Sequence, residues 1–427
     1  MFQQGDSSVT IDQDTDSFQA GPLTATARQT DSTATITQSA TGEGDTIASA
    51  SVNQEDGSDI DIFQTITGNN SGDLRAITVQ REGSTDLVNQ TISGDNSSLL
   101  RYDSRQSGAS TAQVDQTVNG NGSGDINAVL RQDNGASSTI TQTINGDGAS
   151  NMDALVTQNG ANTSTVTQTF DNDGTNTFLA TVNQQGAGNS SSITQRDQGF
   201  GVIGNADGGL IADVNQTGDG NSSTLVQENK GAFADIDQTG DDNELDAFQG
   251  AAGNKLTALQ SGDGNSSNSS QTGLNNTIAV EQIGLDSDSV INQSGRNDSA
   301  FVTQLADANL ASSTITQTGA GGERSENVAT VTQGGLLNVS EVTQGGFNSS
   351  ATVSQTGDNN NSEVDQTGTV DGLGNTALVD QSGSGNGSLI TQTGSDNSAT
   401  VSQSSDGNVS SVFQGGTGNT VTVIQGN

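Results

Sequence analysis

The twelve residues QTGDGNSSTLVQ, at positions 216–227, contain the unit from which most of the chain is built. Gln returns eleven residues after Gln216, and the same step continues without a break as far as Gln304. Between Gln38 and Gln184 the repeated Gln residues are instead 16 and 10 residues apart in turn. One pair of Gln therefore spans 22 residues in the second half of the chain and 26 in the first. A repeat of about 20 to 50 residues is typical of a solenoid.

The residues before each repeated Gln alternate in character. A branched apolar side chain is usual two residues earlier, a small or apolar one four residues earlier, and Asn six residues earlier. A spacing of two predicts a β-strand with one buried face, and the Gly, Asp, Asn and Ser between the repeats are turn residues. The predicted core and ladder residues are Asn221, Val226, Gln227, Asn254, Gln260, Asn276, Val280, Gln282, Asn386, Ile390, Gln392, Asn397, Val401 and Gln403.

A single coil of this sequence is not expected to be stable by itself. A buried Val or Ile contributes ~1.5–3 kcal/mol, against ~1.5 kcal/mol of ordering entropy for every residue of the coil. In a stack, however, backbone groups pair with the coils above and below, and equivalent Asn and Gln side chains form ladders as in cross-β structures. The sequence therefore predicts an all-β fold, a β-solenoid of about 17 stacked strand–turn–strand coils with two strands per coil.

The repeat spacing divides the chain into three segments. Residues 1–22 are an N-terminal segment that is either a targeting element or a frayed terminus, residues 23–184 carry the 16/10 spacing, and residues 185–427 carry mostly the 11/11 spacing. All the long intervals between repeated Gln residues run from the first Gln of a pair to the second. We therefore expect the long loops to lie along one edge of the solenoid. That edge is either a contact surface or a place where insertions are tolerated.

Composition excludes several classes of protein. The 427 residues include 50 Asp and Glu, 11 Lys and Arg, and no His, Cys or Trp, which gives a formal charge of −39. The lack of Cys and His removes thiol and imidazole catalysis and the usual zinc ligands, so we predict no enzyme and no cofactor. The acidity argues against nucleic acid as a partner, and no run of about 18 apolar residues is available to span a membrane.

The charged residues suggest three further interpretations, of which the sequence favours only the last. Turns such as 218–221 and 240–243 offer oxygen atoms to Ca²⁺, but the nonapeptide calcium-binding repeat is absent, so no metal site is predicted. Nine Arg residues are scattered along the array, and we do not expect them to converge on a sugar-binding cleft. The many carboxylates are expected in turns and on outward positions, where they would slow premature stacking.

The first residues, MFQQGD, lack a basic region followed by an apolar run, which is the pattern of a signal peptide. Our hypothesis is that this is a mature secreted chain with an added Met1.

The repeats resemble those of the curlin family, which forms bacterial curli fibres. The shared pattern is Gln-x-Gly-x-Gly-Asn-x-Ala-x-x-x-Gln, and QTGDGNSSTLVQ (216–227), QSGSGNGSLITQ (381–392) and QGGTGNTVTVIQ (414–425) follow it, with Ser, Ser and Val in place of Ala. Residues 185–427 follow the pattern well and residues 23–184 more loosely. This resemblance implies a curlin-type cross-β solenoid that forms an extracellular amyloid fibre of a biofilm matrix. It also implies an outer-membrane secretion channel and a nucleator subunit as partners.

The terminal coils are the candidate functional site. No capping element is visible in the last repeat, so the first and last coils are expected to expose unpaired strand edges and to join copies head to tail. The predicted polymer interface comprises Gln13, Gln29, Asn408, Val412, Gln414, Asn419, Val421, Val423 and Gln425. The alternative is a monomeric secreted acidic β-solenoid that acts as an adhesin or an ice-binding protein.

Overall fold

The protein is built from β-strands alone in the part of the chain that the structure describes. This computed structural model describes residues 2–16, 21–41, 43–44, 47–122, 124–147, 150–171, 176–197, 208–319, 325–368 and 373–426. Within these ranges 35 strands and no helix are present. The predicted all-β class is confirmed.

Two compact units divide the chain: residues 1–220 with 227–231, and residues 221–226 with 232–427. The strands of the first unit are β1 (Phe2–Gln4), β2 (Ser8–Thr15), β3 (Leu23–Thr30), β4 (Thr33–Ala40), β5 (Ala48–Gln54), β6 (Asp59–Ile66), β7 (Gly72–Gln80), β8 (Thr85–Ile92), β9 (Ser98–Gln106), β10 (Thr111–Val118), β11 (Ile126–Asp133), β12 (Ser137–Ile144), β13 (Ser150–Asn159), β14 (Thr163–Phe170), β15 (Asn176–Gln185), β16 (Ser190–Asp197) and β17 (Leu210–Thr217).

The second unit begins within β18, whose last residues belong to the first unit. Its strands are β18 (Ser222–Glu228), β19 (Phe233–Thr239), β20 (Glu244–Gln249), β21 (Lys255–Ser261), β22 (Ser266–Gln271), β23 (Thr277–Gln282), β24 (Asp288–Gln293), β25 (Ser299–Gln304), β26 (Ser312–Thr318), β27 (Val328–Gln333), β28 (Val339–Gly345), β29 (Ser350–Gln355), β30 (Asn361–Gly368), β31 (Thr376–Gln381), β32 (Gly387–Ser395), β33 (Ser398–Gln403), β34 (Val409–Thr417) and β35 (Thr420–Gln425).

Within each unit, the odd-numbered strands form one parallel sheet and the even-numbered strands form a second. For example, β12 pairs with β14 in the first unit and β23 with β25 in the second. Two successive strands make one coil, so β2–β17 form eight coils and β18–β35 form nine. This is the two-strand β-solenoid that the repeat predicts.

The register places each repeated Gln beside the Gln of the next coil, as for Gln142 and Gln168 or Gln282 and Gln304. Alternate side chains then point into the space between the two sheets, and they are the buried ones. Because the sheets are parallel, all connections from an even strand to the next odd strand lie at one edge of a unit. The 16-residue steps are connections of this kind, as expected from their position in the pair.

Candidate functional site: amide ladders and terminal coils

A ladder of Gln side chains runs along each sheet. The Nε2 group of Gln142 donates to Oε1 of Gln168 at 2.7 Å, and Gln293 donates to Gln317 in the same way at 2.8 Å. The second N–H of the amide reaches a backbone carbonyl in the facing sheet, as from Gln142 to Asn127 at 3.1 Å. Both donors of the buried amide are thereby satisfied, which explains why Gln can occupy a core position.

The Gln ladder of the even-numbered strands has a direction. From Gln90 to Gln195 and from Gln249 to Gln414, each amide donates to the Gln of the coil that follows it in sequence. A ladder built in this way has an acceptor oxygen at its N-terminal end and a donor N–H at its C-terminal end.

Asn side chains form a second kind of ladder in the second unit. Oδ1 of Asn276 accepts the backbone N–H of Asp298 at 2.9 Å, and its Nδ2 donates to the carbonyl of Gly295 at 3.1 Å. The backbone N–H of Asn276 in turn donates to Oδ1 of Asn254 at 2.9 Å. Asn276 therefore bonds the backbone of the following coil. Where two Asn amides bond each other, as from Asn397 to Asn375, the later residue donates, which is the reverse of the Gln ladder.

Most of the residues that the sequence assigns to the core and ladders are buried. Those at most 2% exposed are Asn221, Gln227, Asn254, Gln260, Asn276, Val280, Gln282, Asn386, Ile390, Gln392, Asn397, Val401 and Gln403. The assignment of Val226 is wrong, because it directly precedes Gln227 and points to the opposite face, where it is half-buried. Leu225, two residues before the Gln, occupies the core position and is 1% exposed.

The last coil, β34 and β35, is open on one side in the described structure. Val412 and Gln414 are buried, whereas Val421, Val423 and Gln425 are half-buried and Asn419 is exposed. The N–H groups of Ser398 in β33 and of Ser404 directly after it donate to the carbonyls of Asn419 and Gln425. Residues of β35 alternate in direction, so the backbone groups of Thr420, Thr422 and Ile424 point away from β33. Asn408, in the preceding turn, is half-buried and bonded to Asn386.

The first coil is open in one sheet and covered in the other. β2 pairs with β4 alone among the described strands, and its Gln13 is exposed. The short strand β1 lies against β3, with Gln3 beside Gln29, and Gln29 is fully buried. Gln29 therefore lies one strand inside the edge at which the sequence placed it, because residues 2–4 add a strand that the repeat pattern does not include.

A buried carboxyl and phenol lie together in the first unit. The Oη group of Tyr102 donates to Oδ2 of Asp86 at 3.0 Å, and both side chains are at most 4% exposed. Burial raises the pKa of Asp86 to about 8, although the hydrogen bond from Tyr102 opposes this shift. Burial, together with the Asp86 charge, also raises the pKa of Tyr102 well above its usual value. Asp86 is therefore neutral near pH 7 and acts as a packed core residue.

Asp298 occupies a position in the second unit where most coils have Asn. It accepts the backbone N–H of Asn327 at 2.9 Å, as the Asn oxygens do. Burial raises the pKa of this carboxyl, and its hydrogen bonds with Ser325 and Asn327 oppose the shift.

The described residues bring together no group of three His, Cys, Asp or Glu side chains that could hold a metal ion. No helix long and apolar enough to cross a membrane is found among them.

Some of the Arg residues that look scattered in the sequence are neighbours in the structure. The register places Arg75 beside Arg101 and Arg105 beside Arg131, all on the outward face of β7, β9 and β11. The signal was present in the sequence, because each pair is 26 residues apart, which is one coil of the first unit.

Comparison with protein families identifies part of the chain. Residues 341–368, 372–404 and 394–426 match the family model of the curlin associated repeat. The resemblance predicted from the repeats is thus confirmed over residues 341–426. A search of curated proteins gives no match to the chain.

Proposed function

We propose that this chain, whose residues 341–426 carry curlin associated repeats, is the subunit of an extracellular curli-like fibre and polymerises head to tail through its terminal coils. The fold and the repeat match support a structural role, and no feature of the described residues indicates catalysis. Adhesion and a place in a biofilm matrix are part of the proposal, as are a secretion channel and a nucleator as partners.

The direction of the Gln ladder along the even-numbered strands is the observation that carries the proposal. The last coil ends with the donor side of Gln414, and the first coil begins with the exposed acceptor side of Gln13. A second copy can therefore continue the ladder without reversing it. The unpaired backbone groups of β34 and β35 would meet those of β2 and β1, with Gln414 beside Gln13 and Gln425 beside Gln3. A head-to-tail contact of this kind does not close on itself and gives a filament.

Electron microscopy of the chain after dilution from denaturant tests the proposal, together with the variant T422P. The N–H of Thr422 points away from β33, so Pro removes a group that only an incoming copy uses and blocks its approach. We expect T422P to fold but to form no long fibres. When T422P is added to wild type in less than an equal amount, it should stop fibre growth. The variant can still join a fibre end through its first coil, but its last coil then blocks the next copy.

The control is T422V, which keeps the N–H and the branched side chain and should grow fibres at the wild-type rate. Circular dichroism should give the same β-content for the three chains. Growth of T422P at the wild-type rate would contradict the proposed contact. Isolated monomers of the wild type would leave the alternative of a monomeric acidic adhesin or ice-binding solenoid.

The net charge of −39 gives a second expectation for the fibre. Copies of the same charge repel one another, and salt screens this repulsion over about 10 Å at 0.1 M. Added salt or acid should therefore shorten the lag before fibre growth, as followed by light scattering. An assembly rate that is independent of ionic strength would show that charge repulsion does not control the reaction.

A further inference from the structure

The first unit has a concentrated basic surface in an otherwise acidic protein. Five of the 11 basic residues, the arginine patch, are Arg75, Arg81, Arg101, Arg105 and Arg131. They are exposed or half-exposed on β7, β9 and β11 and on the turn after β7. A depression of about 370 Å³ lies beside them, lined by Val79, Arg81, Arg105, Gln106, Ser107 and Asp133.

Within the patch, like charges are neighbours. Arg75 faces Arg101 and Arg105 faces Arg131 across parallel strands, which are ~4.8 Å apart. Directly opposed like charges destabilise a sheet. Arg131 is bonded to Asp103 and Arg81 to Glu55, but Arg75, Arg101 and Arg105 have no side-chain partner among the described residues. An anion would relieve this repulsion.

A matching acidic surface exists on the second unit. Glu341 of β28 faces Glu363 of β30 in register, and both side chains are exposed. Residues 325–427 contain no Lys or Arg at all, so this glutamate pair has no cation in its own part of the sequence. The spacing of the two Glu residues equals that of Arg75 and Arg101, because the same distance between parallel strands sets both.

From this match we infer that the arginine patch binds the glutamate pair of a second copy, side by side, with Arg75 and Arg101 each forming a bidentate pair with one carboxylate. The contact is lateral, so it goes beyond the head-to-tail contact of the proposed function and does not depend on it. In a fibre it would join neighbouring filaments into bundles. A second copy is favoured over other polyanions because a cross-β solenoid presents charges at the same repeat as the patch.

Zero-length carbodiimide cross-linking at low salt tests the inference on the full chain. The variant R101K keeps the positive charge and supplies an amine that can couple to a carboxylate. Mixing ¹⁵N-labelled and unlabelled chains separates contacts between copies from contacts within one copy. We expect mixed-isotope cross-links from position 101 to Glu341 or Glu363, reduced at least tenfold by R101K/E341Q/E363Q and by 0.5 M NaCl.

Two charge variants provide the matched control for bundling. R75Q/R101Q should abolish side-by-side bundles in electron micrographs while single filaments persist. R196Q/K230Q, which removes the same charge outside the patch, should bundle like wild type.

Mixed-isotope cross-links that persist in R101K/E341Q/E363Q, or their absence in R101K, would overturn the inference. If no cross-links form, and wild type binds alginate whereas R75Q/R101Q does not, the patch would instead be assigned to an anionic polysaccharide. Because the cross-link needs no fibre, its presence in a chain that forms no filaments would leave the lateral contact standing and remove only the proposed function. Filaments without the cross-link would leave the proposed function standing and remove the lateral contact.

Discussion

The two units fill the space between their sheets with different side chains. In the 26-residue coils of the first unit, the strands continue past the repeated Gln and bury a further column of apolar residues. This column is Ile66, Ile92, Val118, Ile144 and Phe170. On the facing sheet, the position six before the Gln is also apolar, as in Leu100 and Phe178. The rings of Phe170 and Phe178 meet edge to face, with centroids 6.1 Å apart.

In the 22-residue coils of the second unit, Asn replaces that apolar layer. Buried Asn276 and Asn397 hold the turn of the next coil by hydrogen bonds. Apolar burial is strong and non-directional, whereas a buried amide must find its partner or lose ~1–3 kcal/mol. The 26-residue coils, called wide coils below, are therefore stabilised mainly by buried apolar side chains. The 22-residue coils, called narrow coils, are stabilised by directional hydrogen bonds that also fix their register.

The largest expected effect is the loss of an aromatic ring from the wide coils. Phe170→Ala removes a fully buried side chain and leaves a cavity beside Phe178, which should lower the free energy of unfolding by ~3–5 kcal/mol. The control Phe301→Ala removes a ring that is 37% exposed on the outward face of the second unit. Denaturant unfolding measures both, and equal losses would contradict the difference between the units.

The narrow coils should be most sensitive to their Asn ladder. Asn276→Ala leaves the carbonyl of Gly295 and the N–H of Asp298 without their partners, so we expect a loss of ~1–3 kcal/mol. The control is Asn292→Ala, an exposed amide on neighbouring β24, which should change stability by less than ~0.5 kcal/mol. Hydrogen exchange of the turn at 295–298 should rise only in the first variant.

The wide coils also contain the buried Asp86, which makes their stability depend on pH. Its pKa is about 8 in the folded protein and 3.8 in the unfolded chain, so the folded state holds the extra proton between these values. Stability is therefore fully present below about pH 4 and falls as pH rises towards 8. Between pH 6 and 7 the loss should approach ~1.4 kcal/mol.

Asp86→Asn should remove this dependence and keep an acceptor for Tyr102. The comparison variant Asp115→Asn, on the outward side of β10, should leave the pH dependence in place. Exchange rates of β8 and β9 amides, measured from pH 6 to 8, distinguish these results. An unchanged pH dependence in Asp86→Asn would exclude Asp86 as its source.

The smallest effect concerns a turn of the narrow coils. Leu337 has a φ of 57°, and Asn359, one coil later in the same place, has 54°. A branched apolar residue is strained in this left-handed conformation, by ~1–2 kcal/mol, whereas Asn tolerates it. Leu337→Asn should therefore raise the melting temperature, and Leu336→Asn, at a neighbour with ordinary φ, should not. A lower melting temperature for Leu337→Asn would mean that this exposed Leu makes a contact that outweighs its strain.

Much of the fold was predictable because the same pattern of buried, exposed and turn residues recurs many times along the chain. The eleven-residue Gln step, the alternation of two and the turn residues together specify parallel strands in register. The apolar column of the wide coils was missed, although its signal, an apolar residue two after Gln as in Ile92 or Phe170, recurs after every second repeated Gln from Gln38 to Gln168. The assignment of Val226 failed because a shift of one residue reverses the face of a strand.

By itself, the sequence determined the strand-and-turn repeat, the buried Gln and Asn columns, and the excess of negative charge. These follow from local periodicity, since a side chain's face depends only on its offset from the Gln. Tertiary structure alone decided which residues of different coils become neighbours. It placed β1 over Gln29 and set Tyr102 against Asp86. Such contacts depend on how coils of unequal length come into register, and that register is fixed only when the coils stack and their backbone groups pair.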